Sequence, residues 1–296
     1  MAHNTSIFLI NKLKTNPSVK VNILCKKVYL YTNARNEKHI KEWAAHHLLI
    51  GFSKIIIFDH KSDKPLKEVF KGFDKRVKVI NVSHLENPIK MNLMNKASQI
   101  SALLKVDWMI YLDADEFIIL NNNEYRGIKH LLSVYNHADS LAINWLMFGS
   151  NNLKKDPDGL LLENYVKSDL FLHHHVKCFV RPSKVINSTN PHFYNMKDSS
   201  RYFNITNKLM TKPYHTNNFN VEYYKAPIYI AHYVYQSEEA FLKRKILLPR
   251  DDNGETRHFD DTKFIHSLHN LYDNEDAKNK YAEQVRFFLN QYGYSY

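Results

Sequence analysis

Asp113, Asp115 and Glu116 put three carboxylates into four consecutive positions, straight after the apolar run 108–112 and straight before Phe117. Like charges that close either raise one another's pKa or share a cation. Hard oxygen donors select Mg2+ or Mn2+ over zinc. An isolated Asp-x-Asp is most often a solvated turn, but the run ahead of this one reads as a strand buried on both faces. Carboxylates at the carboxyl end of a central strand lie where open α/β sheets receive nucleotides. The triplet therefore reads as a divalent-metal and phosphate site.

That reading needs a sheet around it, and the flanking chain supplies one. Residues 27–32 form a first predicted strand. A helix follows to about Ile50, with Ile40, Trp43, Ala44, His47 and Leu48 on one stripe, and Gly51 stops it. Strands are predicted over 54–58, ending at Asp59, and over 76–82, and a helix over 90–105 leads into the carboxylate strand. Strands alternating with helices at this spacing predict an α/β fold, with a mostly parallel sheet, right-handed crossovers and flanking helices. Beyond the carboxylates the pattern predicts a helix over 125–135 and strands over 140–148, 171–181 and 228–235. Long loops with at most short hairpins are expected over 187–225, then a capped helix over 237–245 and a terminal helix over 276–290. The economical division is a loosely ordered arm over 1–20, one domain over 21–250 and a C-terminal helical extension over 251–296.

The 296 residues carry a formal charge of +11, which favours anionic partners such as nucleotide phosphates. No nucleic-acid module of interleaved aromatic and basic residues is present, so no nucleic-acid partner is expected. Cys25 and Cys178 are too few and too far apart for a disulfide framework. The chain shows no signal-peptide pattern and no apolar run of transmembrane length, so the expected compartment is the cytoplasm.

Several short segments then occur in one order. They are Asn36-Glu37; Glu42-Trp43 with His46-His47 and Gly51-Phe52; Asp59; Gln99; Asp113-Ala114-Asp115-Glu116-Phe117; the stretch 145–150; Lys177 with Arg181-Pro182; and His232-Tyr233 with Ser237-Glu238-Glu239. Together, over roughly 29–250, they resemble the GT-A type glycosyltransferases, and within them the family 2-like and family 92-like enzymes whose metal motif reads Asp-x-Asp-Glu-Phe. The resemblance implies a Rossmann-like GT-A sheet and transfer of a sugar from a nucleotide-sugar, most often a UDP-sugar, to a glycan or glycoconjugate with inversion. It implies Mn2+ or Mg2+ held by Asp115, with Asp113 in direct or water-mediated contact or turned to the ribose. His232 is the implied third ligand, with His192 as its rival.

Around that centre, Lys177, Lys245 and Arg250 are candidates to neutralise phosphate. Asn36, Glu37 and Asp59, with Gln99, are candidates for the uracil and ribose side; Asn36 also suits a helix N-cap. Inversion needs a general base opposite the leaving group, and Glu163 is the candidate, with Asp156 and Asp158 as rivals. His173, His174 and His175 resemble a metal site, yet on a strand at most two of the three can share a face, so the run reads as strand filler with an acceptor-facing member. Two other functions compete. A nucleotidyltransferase would want a Gly-rich phosphate loop, and residues 33–38 contain no glycine. A non-catalytic basic protein binding glycan or nucleic acid would not need both Asp113 and Asp115.

Overall fold

The structure, a computed structural model, describes residues 25–121, 123, 125–211 and 220–295; the arm expected over 1–20 lies outside them. Strand and helix alternate through the first half as β1 (Val28–Ala34), α1 (Ile40–Leu49), β2 (Lys54–Asp59), α2 (Leu66–Val69), β3 (Val77–Asn81), α3 (Lys90–Leu103) and β4 (Trp108–Tyr111). β1 pairs in parallel with both β2 and β4, and β2 with β3. Ile55 and Ile57 pack into the core on one face of β2, while Ile56 and Phe58 pack on the other. A strand covered on both sides requires such a continuous apolar run. Gly51 ends the first helix with φ +107°, a conformation that costs glycine little.

The chain continues through β5 (Glu116–Leu120), α4 (Ile128–Val134), β6 (Ser140–Met147), α5 (Leu161–Asn164), β7 (Lys167–Ser168), β8 (Val176–Val180), β9 (Val185–Asn190), β10 (Phe193–Met196), β11 (Tyr202–Asn204), β12 (Ile228–His232), α6 (Glu238–Phe241), β13 (Tyr272–Asp273) and α7 (Glu283–Asn290). The main sheet runs β3-β2-β1-β4-β8-β6-β12-β5, with β11 also on β6. Because β8 is antiparallel to β4 and β6, and β5 to β12, the sheet is mixed but mostly parallel. The carboxylate turn thus carries the chain from the middle of the sheet to its far edge. Glu116 opens β5 opposite His232, the last residue of β12. Sheet pairing therefore brings the late histidine to the carboxylates.

Two expectations change. The strand predicted over 171–181 starts only at Val176, so His173 to His175 lie in the turn before it and need not alternate faces. The polar stretch after 187 holds the β9–β10 hairpin and also β11, which joins the main sheet in parallel with β6.

The free edge of β5 is closed by side chains. Trp43 Nε1 donates to Glu116 O at 2.7 Å, His46 Nε2 to Ile118 O at 2.8 Å, and Ile118 N to His47 Nε2 at 3.3 Å. Tyr281 OH donates to Leu120 O at 3.3 Å. Positions i, i+3 and i+4 share one helix face, so the Trp43, His46, His47 spacing lets α1 supply the hydrogen bonds that a neighbouring strand would otherwise make. Glu42, on the same helix, accepts from Leu161 N at 2.7 Å and Leu162 N at 2.9 Å, buried donors that the first turn of α5 leaves without a partner inside the helix. The segment after 250 folds back on this core, with α7 packed on α1. Among the described residues no helix is long and apolar enough to cross a membrane.

Candidate active site

Asp113, Ala114 and Asp115 line a cleft of about 140 Å³ with Arg35, Glu37, Lys90, Arg244, Lys245 and Arg257. Asp115 is 2% exposed. Its Oδ2 accepts from Arg244 Nη2 and Lys245 Nζ, each at 2.8 Å. Burial alone would raise this carboxyl, but Lys245 and Arg244 hold it well below the usual carboxylate range. Burial works against Asp113 too, and there Lys177 and Lys90 win and keep it ionised. Lys90 donates to Asp113 Oδ1, and Lys177 Nζ lies 3.4 Å from Oδ2.

Glu116 goes the other way. Burial pushes it up to about 8, against the pull of Lys177 and Lys90. Its Oε2 accepts from Asp113 N at 2.8 Å. The crowded triplet is thus relieved in both ways open to it, since two carboxylates take cations and the third stays protonated at neutral pH.

The remaining oxygen of Asp115 decides whether a metal fits. Oδ1 is buried without a hydrogen-bond partner and lies 3.7 Å from His232 Nε2. Two ligands on one divalent ion sit roughly 3 Å apart when adjacent and roughly 4 Å when opposed, so this pair can share an ion. Burial pushes His232 down to about 3, leaving the neutral imidazole that ligates metals. Carboxylate oxygen with imidazole nitrogen suits Mn2+ better than Mg2+. The donor set fits such an ion. The rival His192 instead donates through Nδ1 to Val176 O at 3.1 Å.

The cleft also holds donors that none of the described residues satisfies. Arg35 Nε, Arg244 Nη1 and Arg257 Nε are buried, line the cleft and have no hydrogen-bond partner among the described residues. An unpaired buried donor costs about 1–3 kcal/mol, more when charged. Three in one cleft make a site that an anion would complete.

Of the residues singled out from sequence, Asp113, Asp115, Glu37, Lys245, Arg250, Lys177 and His232 come together here. Glu37 accepts from Arg244 Nε at 2.9 Å and Arg250 Nη2 donates to Asp252 at 2.7 Å. The others do not. Asn36 is exposed, exchanges hydrogen bonds with Asp63 and caps no helix; His39 is the cap residue of α1. Asp59 is buried with Oδ2 accepting from Leu66 N at 2.8 Å, which pins the start of α2. Gln99 is exposed on α3, whose Ala97 and Ser98 face the sheet. Glu163 is paired with Arg286, Asp156 with Lys38, and Asp158 is exposed; none of these three lines the cleft.

Lys90, Arg35, Arg244 and Arg257 were not legible as site residues. The basic triplet Lys243-Arg244-Lys245 was the available signal, and only its Lys245 read as a phosphate candidate. Only Lys243 points to the outside, donating to Glu239 at 2.7 Å. A wide π-helical turn over Leu242–Ile246 brings both Arg244 and Lys245 to one carboxylate, and such turns are common at functional sites.

A family model for glycosyltransferase family 92 matches residues 24–257. A glycosyltransferase family 92 protein of Ricinus communis is 25% identical over 222 residues, which cover 72% of this chain and 36% of that protein. The chain therefore spans little more than a third of that relative. Among solved structures, S. aureus TarS overlaps 53% of this chain and 29% of its own, at 15% identity and a TM-score of 0.35. A nucleotidyl transferase from Methanothermobacter thermautotroptrophicus overlaps 53% of this chain and 72% of its own, at 10% identity and a TM-score of 0.29.

Proposed function

The chain belongs to glycosyltransferase family 92, and from that premise we propose that it transfers a sugar from a nucleotide-sugar, most simply a UDP-sugar, to a hydroxyl of a glycan or glycoconjugate, with a divalent ion and with inversion. The observation that carries this reading is the set of unsatisfied donors Arg35 Nε, Arg244 Nη1 and Arg257 Nε in the cleft that also contains the open oxygen of Asp115. A diphosphate offers the oxygens that those guanidinium groups need. Asp115 and His232 would hold Mn2+, with Asp113 beside them, and the ion would act as a Lewis acid on the departing diphosphate.

The chain's own contribution is electrostatic. Arg244 and Lys245 already stand at the carboxylate, so they meet charge developing on the leaving group without reorganisation. Lys177 and Lys90 keep Asp113 ionised, and Glu116 stays neutral so that the turn does not repel the donor. Attack by the acceptor hydroxyl comes from the side of the sugar away from the diphosphate.

The test is release of free nucleotide from a panel of UDP- and GDP-sugars with Mn2+, with and without chelator. Metal-dependent turnover of one donor is the expected result. Turnover of none, with no metal-dependent binding of any nucleotide, would replace this reading by that of a non-catalytic binding protein.

A further inference from the structure

The turn ahead of β8 was expected to scatter its histidines and instead gathers them. His173, His174 and His175 each offer one ring nitrogen, and the three nitrogens all lie within 4.8 Å of one another. The Nδ1 atoms of His173 and His175 are 3.2 Å apart, and His175 N also donates to His173 Nδ1 at 3.3 Å. Two imidazole nitrogens that close need something positive between them, either a proton on one or a cation shared by both. Four-coordinate zinc at about 2.0–2.1 Å from each nitrogen sets its ligands roughly 3.3 Å apart, close to the separation observed.

We propose that His173, His174 and His175 form a second metal centre, for a borderline d-block divalent cation of the zinc class, separate from the carboxylate site at Asp113 and Asp115. The cation takes the place of the proton between the two Nδ1 atoms, and that proton leaves to solvent. His174 is exposed, and its side chain turns in to close the remaining gap. Nitrogen donors alone select Zn2+, Ni2+ or Cu2+ and discriminate against Mg2+ and Mn2+. The two centres are therefore chemically distinguishable in one molecule.

The surroundings suit a fixed centre. Asp169 lines the same hollow as His173 and His174, and its Oδ2 is 2.7 Å from His269 Nδ1. This places a carboxylate in the same hollow as an outer partner of the cluster. Trp145 stacks on His173 and His175, with ring centroids 6.1 and 5.6 Å apart, and its ring is also 4.3 Å from that of His232. A cation at the turn would brace the indole that packs against the late histidine of the cleft.

Cobalt is the probe. The full chain, untagged and stripped with chelator, is titrated with Co2+ and its visible d–d absorption recorded, followed by displacement with Zn2+. With the carboxylate site removed by Asp115→Ala, one equivalent is still expected to bind and to give the absorption, and its affinity is expected to weaken at least about 100-fold when H173Q/H175Q is added. His174→Gln, at an exposed position, serves if the double variant does not fold, and at least a tenfold loss is expected there. No absorption from the intact chain, absorption unchanged by the histidine substitutions, or absorption lost with Asp115→Ala would each overturn the proposal.

Discussion

Asp115 divides its two oxygens between two tasks. Oδ2 is held by Arg244 and Lys245, and Oδ1 is left open toward His232. The unsatisfied arginines share that cleft, and their worth can be read one at a time. Arg257→Gln removes the Nε donor that none of the described residues uses, so UDP binding should weaken about tenfold, the value of one charge-assisted hydrogen bond, while the thermal midpoint stays put. A fall in midpoint with unchanged binding would make Arg257 structural. Glu163, expected from sequence as the base, is engaged by Nε and Nη2 of Arg286 and held below its ordinary pKa chiefly by those hydrogen bonds. Glu163→Gln should keep turnover within about twofold while lowering stability by no more than about 1 kcal/mol, since the pair is partly exposed. Loss of turnover in a variant of unchanged stability would restore the catalytic assignment.

At the scale of elements, α1 does more than cover the sheet. Its Trp43, His46 and His47 supply the hydrogen bonds along the free edge of β5, the strand that begins at Glu116. This gives stability a pH dependence. Burial pushes His46 down to about 4 in the folded chain, against about 6.5 when unfolded. Below pH 6.5 the unfolded chain gains protons that the folded chain does not, so this term makes stability fall as pH drops from 6.5 to about 4. At roughly 1.4 kcal/mol per unit the loss approaches about 3 kcal/mol. Glu116, with its raised pKa, acts in the opposite direction, so the difference between variants isolates the effect. Urea midpoints of the intact chain and of His46→Phe, measured between pH 7 and 4.5, should converge as pH falls, and parallel profiles would refute the assignment. The α1 stripe was legible because apolar spacing is local. Its role as an edge cap was not, because Trp43 and Glu116 are 73 residues apart in the chain.

Over the whole molecule, legibility follows the same division. The alternation of strands and helices, the mostly parallel sheet, and the placing of Asp113 and Asp115 beside a central strand were readable from period and composition. The cationic half of the site was not, since Arg244 reaches Asp115 across 129 residues and Arg257 comes from beyond the expected domain end at 250. The histidine turn was missed because three consecutive imidazoles look alike on a strand or in a turn. Residues after 250 also carry α7, packed on α1, so a chain ending at 250 should lose both cooperative unfolding and nucleotide binding. A folded, binding-competent 1–250 fragment would contradict that dependence. The central claim, a metal-assisted nucleotide-sugar site at Asp115, is tested most directly by calorimetric titration of UDP into the full chain, with Mn2+ and with chelator, beside folded Asp115→Asn. The account predicts that Mn2+ tightens UDP binding at least about tenfold, or about 1.4 kcal/mol, in the intact chain and not in the variant. Equal affinity with and without the metal, or the same metal effect in both proteins, would contradict it.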